Sequence, residues 1–388
     1  MQRHQATDCR VGVPPVSGRS GKVEKWKKWK SGEDEMTTRF VTIPALVLGV
    51  AVISLWSARV TGQGPSTPKA VVKVGRSYVP PRTPWGDPDL QGTLTNKYEQ
   101  NTPLERPPEF EGRRAEDLTA AELADLFKRR QQQAVDRGPG VGPPQFRDNL
   151  EVAKGSRPWL IVDPPDGRIP PFTPEARKRI GPRDAFQDTG IQGIVNARER
   201  TGSSFGVGPF DGPRDLSLWD RCITRGLPGA MLPTILGNSY EIVQAPGLVS
   251  IRYELVHDAR VIPLDGRPHV GKGINLELGD ARGHWEGDSL VVETTNFKDR
   301  STYRNANAAT LRLVERFTRI APDLIEWAVT VDDLTTWTRP WTIAVPLTMT
   351  DREPVLEYAC HEGNYAMRHI LSGARASERD EADRVKKP

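Results

Sequence analysis

Residues 325–331 read IEWAVTV, and this stretch decides the fold class because apolar side chains occupy every second position along it. The same alternation runs through VSIRYEL at 249–255 and WTIAVPLTM at 341–349. A period of two gives a strand one apolar face and one polar face, which is typical of half-buried antiparallel sheet. The chain from 231 to 372 is therefore predicted to be an antiparallel β domain.

Turn sequences separate the predicted strands at short intervals. They carry Gly, Pro or Asp where a hairpin reverses: APG at 245–247, LDG at 264–266, WEGD at 285–288 and APD at 321–323. Roughly eight strands with such connections form a meander, and closing a meander into a barrel removes its exposed edges. The fold is thus predicted to be mainly β, as a lipocalin-like barrel, with a sandwich as the second choice.

The half of the chain before these strands is rich in proline. Five Pro-Pro pairs between 80 and 171 disfavour both helix and central strand, so 63–230 is predicted to be an irregular wrap around the β domain. The capping box TAAE predicts one helix near 119–134. A short second helix is predicted from Thr173, with proline in its first helical position. The tail at 373–388 is expected to be disordered.

A short apolar run lies near the N-terminus. Residues 40–56 are seventeen uncharged, mostly apolar residues between Arg39 and a small-residue segment, which is the pattern of a secretory signal peptide cut before Gln63. Seventeen residues is also the lower limit for crossing a bilayer, so 36–62 is either a signal peptide or a membrane anchor. Residues 1–35 are expected to be disordered or to precede the true translation start.

The excess of positive charge belongs to this leader. The chain has 54 Lys/Arg and 50 Asp/Glu, of which ten and five lie at or before Gly62, leaving 44 and 45 for the remainder. A nucleic-acid-binding protein usually carries a basic surface on its folded part. We therefore expect no nucleic-acid partner, and contact with a membrane only through the N-terminal segment if it is uncleaved.

Two of the three cysteines, Cys222 and Cys360, follow the leader. In the oxidising compartment that export implies, they are expected to form a disulfide between the proline-rich half and the last strand. That bond requires Cα atoms within ~7 Å of each other. A reactive thiol at Cys360, beside His361, is the alternative. The expected location is the periplasm or the exterior, with membrane attachment if the leader is retained.

Four groups of motifs resemble those of a family of exported bacterial β-rich proteins of unassigned function. They are RCITRG at 221–226, GHWEGD at 283–288 with ETTNF at 293–297, TWTRPW at 336–341, and EYACHEGNY at 357–365. The resemblance covers about 80–375 and implies export. It implies no catalytic residue, because no activity accompanies the family.

Polar residues on the predicted inner faces are the candidate site residues, since a buried carboxylate needs a partner, cavity water or a ligand. His257 continues the apolar face of one strand, Glu315 interrupts that of another, and Glu362 continues a third. We expect at least two of them in one cavity ringed by four aromatic side chains, which are Tyr253, Phe317, Trp327 and Trp341. Arg339 is one possible partner for the carboxylates, and a structural ion pair under the rim is the alternative.

Two function classes remain open. In the first, an exported envelope protein binds a small apolar or amphipathic molecule in its β domain. In the second, a cofactor-free lyase, isomerase or hydrolase uses His257 with Glu315 or Glu362 as acid and base. No cofactor is expected, because the sequence has neither a phosphate loop nor a dinucleotide fingerprint. His257, His269 and His361 with a carboxylate have the ligand types for zinc or non-haem iron, but they lack the spacing of a metal motif, so no metal is expected.

Overall fold

The computed structural model describes residues 78–100, 102–136, 157–184, 210–234, 237–299, 302–350 and 354–386. The strands are β1 Gly92–Thr95, β2 Ile161–Asp163, β3 Ser239–Ala245, β4 Leu248–Tyr253, β5 Ala259–Pro263, β6 Asp280–Glu286, β7 Ser289–Thr295, β8 Arg312–Ala321, β9 Leu324–Asp332 and β10 Trp341–Met349. The α-helices are α1 Ala120–Asp136, α2 Pro174–Asp184 and α3 Ala366–Lys386. The expectations for 1–35 and 36–62 fall outside the described residues.

The ten strands form one antiparallel sheet in the order β5-β4-β3-β1-β10-β9-β8-β7-β6, and β2 also pairs with β10. The two end strands meet through side chains. A Cβ added at Gly283 of β6 would lie 2.8 Å from Cγ2 of Ile262 in β5. Glycine therefore permits the close approach of β6 to β5, and the sheet nearly closes into a barrel, as the alternation predicted.

The inner face of the barrel carries the apolar half of each alternating pattern. On β9, the side chains of Ile325, Trp327, Val329 and Val331 are all fully buried, while the residues between them are half-buried. On β8 the same alternation buries Leu313 and Phe317. Buried aromatic side chains contribute a large share of the apolar area in such a core, so burial of this inner face stabilises the barrel.

Part of the proline-rich half belongs to the sheet. Strand β1 lies between β3 and β10, where Leu94 is opposite Tyr240 on one side and Met349 on the other. Strand β2 pairs with the opposite end of β10. The prediction that 63–230 is an irregular wrap apart from its helices is therefore wrong for these two segments. At four and three residues, each is too short for alternation to mark it as a strand.

The helices in the wrap begin at capping residues, as the sequence indicated. The Thr119 and Glu122 side chains exchange hydrogen bonds with each other's backbone N–H, at 3.2 and 2.8 Å, just before and within the first turn of α1. Helix α2 begins at Pro174. The N-terminal part of α1 packs on its own small apolar cluster, which includes Phe110, Leu126 and Trp159.

The C-terminal segment forms helix α3, so the expectation of a disordered tail at 373–388 is wrong up to Lys386. The 21 residues of this helix include four Ala and four Arg, which favour helix. Arg375 and Glu378 form an i,i+3 ion pair at 2.7 Å, which stabilises a helical surface. Within the described ranges, no helix, α3 included, has the length and apolar character needed to cross a bilayer.

Candidate functional site

Glu315 lies at the centre of the barrel interior. It belongs to the inward face of β8, is fully buried, and stands between Val292 and Val329 in the sheet register. Its predicted inward direction is therefore confirmed. A carboxylate among aliphatic side chains needs a compensating cation.

Arg260 of β5 supplies that cation from across the barrel. Its Nη1 donates to Oε2 of Glu315 at 2.5 Å and its Nη2 donates to Oε1 at 2.7 Å, while Trp327 Nε1 also donates to Oε1 at 3.0 Å. Burial alone would lower the pKa of Arg260, but the Glu315 carboxylate raises it overall. The guanidinium is therefore charged, and the two charges cancel inside the barrel.

The four aromatic residues predicted to ring the cavity all face this interior. Tyr253, Phe317, Trp327 and Trp341 are each at most 1% exposed. Phe317 and Trp327 are opposite each other in the register of β8 and β9. The Tyr253 ring meets the ring of Tyr240 edge to face, with centroids 6.0 Å apart. Alternation was therefore sufficient to place these side chains on one surface.

Two polar atoms on the same inner surface have no hydrogen-bond partner among the described residues. They are Thr294 Oγ1 and Trp341 Nε1. Tyr253 Oη and Arg260 Nε lie outside good hydrogen-bond geometry with any described group, but their side chains interact with each other. Burial raises the pKa of Tyr253 above its usual range, so its hydroxyl keeps its proton and can donate. Each buried polar group left without a partner costs about 1–3 kcal/mol. A dry interior would leave Thr294 Oγ1 and Trp341 Nε1 unsatisfied.

His257 does not reach the interior. Strand β4 ends at Tyr253, and a single 3-10 turn, Leu255–His257, follows it. Val256 and His257 adopt positive φ angles of 58° and 54°, which breaks the strand phase. The His257 side chain is 50% exposed and lies 4.0 Å from Glu357, so the expectation that it points inward is wrong.

Glu362 and Arg339 also lie on the surface. Glu362 is in an exposed turn after β10, where no strand continues the predicted phase in the described segment 354–386. Arg339 is half-exposed and donates to both carboxylate oxygens of Asp163, at 3.0 and 3.1 Å, rather than to an interior carboxylate. The structure therefore does not bring His257, Glu315 and Glu362 together.

The disulfide between Cys222 and Cys360 is formed. Their Cα atoms are 5.8 Å apart, within the predicted limit. Cys360 lies in a turn beyond β10 rather than in the last strand. The bond therefore joins the proline-rich half to the segment that follows the barrel, and Cys360 is not a free thiol.

A segment that we call the plug, residues 224–234, enters the barrel. Leu227, Met231 and Leu232 in this segment belong to the main apolar core. Asn96 Nδ2 donates to the Met231 carbonyl at 2.8 Å. The Met231 sulfur lies 4.0 Å from Arg260 Nη2, so the plug extends to the central ion pair.

Arg225, near the start of the plug, is a residue that the sequence reasoning did not select. It is 6% exposed, and none of its three guanidinium nitrogens has a hydrogen-bond partner among the residues described. Its guanidinium carbon lies 4.9 Å from the centroid of the Trp219 ring. Burial lowers the pKa of Arg225 to about 10, against smaller opposing effects of the Tyr240 and Tyr358 hydroxyls. Arg225 stands in the RCITRG motif, but its burial is visible only in the fold.

The histidines do not form a metal centre in the part of the chain that is described. No group of three or more His, Cys, Asp or Glu side chains there is placed to hold an ion. His269 lies between two carboxylates, with Nδ1 3.0 Å from Asp280 and Nε2 3.4 Å from Glu293. Arg282 and Arg312 pair with those same carboxylates, so the arrangement is a charge network on the sheet.

No protein-family model matches the chain, and no curated protein matches it. Among solved structures, the chain is similar to a secretary abundant heat soluble (SAHS) protein from Ramazzottius varieornatus, at 13% identity. That match covers 34% of this chain and 87% of the other, with a TM-score of 0.21. The barrel topology therefore rests on the strand pairing described above.

Proposed function

We propose that the protein is an exported binding protein whose barrel interior holds a small apolar or amphipathic molecule. The observation that carries this proposal is the presence of buried polar atoms without partners on the inner surface, namely Thr294 Oγ1 and Trp341 Nε1, beside the Tyr253 hydroxyl, whose described interaction is with Arg260. Apolar walls with a few convergent polar groups are typical of small-molecule sites. A ligand with one or two polar groups would satisfy these atoms and avoid their desolvation cost.

The charge of the interior supports a neutral or weakly polar ligand. Arg260 and Glu315 satisfy each other bidentately, so they present no net charge to a molecule beside them. The Tyr253 hydroxyl and the unpaired Trp341 indole and Thr294 hydroxyl are neutral donors or acceptors. An amphipathic molecule with a hydroxyl or carbonyl group suits these atoms better than an ion does.

The alternative of a cofactor-free enzyme receives no geometric support. It requires His257 within hydrogen-bond reach of Glu315 or Glu362. In the structure His257 is half-exposed beside Glu357, while Glu315 is fully buried and held by Arg260. We therefore retain binding as the proposed function.

Export is the second part of the proposal. It is supported by the apolar run at 40–56 and by the Cys222–Cys360 disulfide, since such bonds persist in oxidising compartments. Intact-mass analysis of the envelope fraction tests it. A chain that begins near Gln63 supports a cleaved leader, whereas a membrane-embedded chain that retains 40–56 supports an anchor. A reduced chain confined to the cytoplasm would contradict export.

Native mass spectrometry of the chain from an exporting host tests binding. The proposal predicts an added mass that is present under gentle ionisation and absent after denaturation. Thr294→Val removes one unpaired interior hydroxyl and should reduce the retained fraction. Thr318→Val is the matched control, because Thr318 pairs with Ser289 on the opposite face of the sheet and should leave retention unchanged. The bare polypeptide mass under both conditions would contradict the proposal.

A further inference from the structure

Arg225 carries a buried positive charge that no described residue neutralises through a hydrogen bond. Its Nε, Nη1 and Nη2 are all buried and without partners, and the whole residue is 6% exposed. Buried charges in proteins are normally paired, because an unpaired charge loses its hydration without compensation. The ring of Trp219 covers the guanidinium at 4.9 Å, which offsets part of this loss but accepts none of its five N–H groups.

Asp258, which bonds the backbone of Arg225, is already occupied by other donors. Asp258 accepts a hydrogen bond from Thr224 Oγ1 at 2.6 Å, and its carboxylate also accepts the backbone N–H of Arg225. Asp258 therefore fixes the backbone of the plug at this point. It does not contribute to the pKa of the Arg225 side chain, whose electrostatic partners are Tyr240 and Tyr358. The Arg225 backbone is therefore fixed, while the N–H groups of its guanidinium have no hydrogen-bond acceptor among the described residues.

Two hydroxyl groups add to this set of donors. Tyr240 Oη accepts a hydrogen bond from Asn96 Nδ2 at 2.9 Å, which leaves the hydroxyl proton available for a further acceptor. Burial raises the pKa of Tyr358, so its hydroxyl is protonated at neutral pH. Arg225 has five N–H donors without an acceptor among the described residues, and the Tyr240 and Tyr358 phenols add two O–H donors. The ligand class that supplies the missing acceptors is an oxyanion.

We propose that Arg225 is the anchor of a second ligand site, which takes the carboxylate of a small organic anion. The fork of Nη1 and Nη2 matches a carboxylate bidentately, and it has no hydrogen-bond acceptor among the described residues, since the Trp219 ring covers the guanidinium without accepting from it. The burial of Arg225 restricts the site to a small group and excludes a macromolecular surface. This site rests on a different observation from the barrel interior, namely the unpaired Arg225 guanidinium. It carries a positive charge, whereas the Arg260–Glu315 pair gives the barrel interior no net charge.

The Cys222–Cys360 disulfide lies close in sequence to both Arg225 and Tyr358. Cys222 precedes Arg225 by three residues and Cys360 follows Tyr358 by two, and the two sulfurs are bonded. Asn364 Nδ2 donates to the Asp220 carbonyl at 2.7 Å, which adds a second tie between the same two segments. The Cys222–Cys360 disulfide therefore links the segment that carries Arg225 to the segment that carries Tyr358.

Thermal unfolding of the full chain in acetate, with chloride at equal ionic strength as the reference, tests the proposal. Acetate should raise the melting temperature of the wild type in a saturable manner. Arg225→Met should abolish the acetate effect, and it should melt above the wild type in chloride because it removes an uncompensated charge. Arg225→Lys keeps the charge but loses the fork, so the acetate concentration for half-maximal effect should rise at least ten-fold.

Arg130→Met is the matched control. Arg130 is similarly buried, but its Nη1 and Nη2 donate to the carbonyls of Arg157 and Pro158 at 3.1 and 2.6 Å. This variant should melt below the wild type and keep the acetate effect. An acetate effect that survives in both Arg225 variants, or no effect in the wild type, overturns the proposal. If inorganic phosphate stabilises the wild type and acetate does not, the carboxylate class is wrong.

Discussion

Replacing Glu315 with Gln should destabilise the barrel without unfolding it. The substitution keeps an oxygen for Trp327 Nε1 but removes the charge opposite Arg260, whose side chain is 4% exposed. Leaving one member of a buried ion pair uncompensated costs about 3–5 kcal/mol. For a domain of this size, roughly 2 °C is lost per kcal/mol, so the melting temperature should fall by about 6–10 °C.

Chemical denaturation followed by tryptophan fluorescence measures this loss, with Glu241→Gln as the control. Glu241 pairs with Arg252 at 3.0 Å on adjacent strands, but both side chains are more than a third exposed, so its loss should cost at most about 1 kcal/mol. Adding Arg260→Met to Glu315→Gln should recover part of the stability, since no uncompensated charge then remains. Glu315→Gln within about 1 kcal/mol of the wild type would refute the buried pair. If Glu315→Gln lost ligand retention while its free energy of unfolding stayed that of the wild type, Glu315 would instead be a ligand-binding carboxylate.

Three further substitutions test other parts of the structure. Thr294→Val should leave the ligand-free chain as stable as the wild type while lowering ligand retention, and a gain in stability at unchanged retention would indicate a dry interior. Cys222→Ser removes a disulfide that joins residues 138 apart in sequence, so the free energy of unfolding measured by calorimetry should fall by about 5 kcal/mol in the chain-entropy model. An unchanged melting temperature would show that the disulfide does not stabilise the fold. Burial alone would raise the pKa of Asp333, but hydrogen bonds led by Thr336 and the Asn307 amide hold it below its usual value. The Asp333 carboxylate therefore stabilises the fold above pH ~3.9, and this stabilisation is lost as the pH falls through the pKa of the folded state. Asp333→Asn should be less stable than the wild type at neutral pH and should lose less stability on acidification. Equal dependence of stability on pH in the two proteins would contradict this.

The inward direction of Glu315 could be predicted because β8 has unbroken alternation on both sides of it. Its partner could not. Arg260 lies in the sequence ARVIP between two exposed residues, Ala259 and Val261, and a charged residue in such a stretch is normally assigned to the outer face. Only the curvature that brings β5 across from β8 shows that Arg260 points inward. The pairing is a property of barrel closure, which no local pattern contains.

The failure at His257 has a different physical cause. In the sequence, the alternation of 249–255 extends to His257. In the structure, β4 ends at Tyr253, and the positive φ angles of Val256 and His257 turn the chain away from the strand direction. Neither Val256 nor His257 is a residue type that signals a turn. Arg225 was missed for a third reason, since an arginine in an irregular segment is assigned to the surface unless its burial is known.

Experimental electron density for the barrel interior, from crystals of the chain purified from an exporting host, tests the proposed binding function most directly. The proposal predicts ordered non-protein density enclosed by the barrel, in contact with the Tyr253 hydroxyl and at least one of Thr294 Oγ1 and Trp341 Nε1. An interior filled by side chains alone, with those atoms hydrogen-bonded to one another or to the protein backbone, would contradict it.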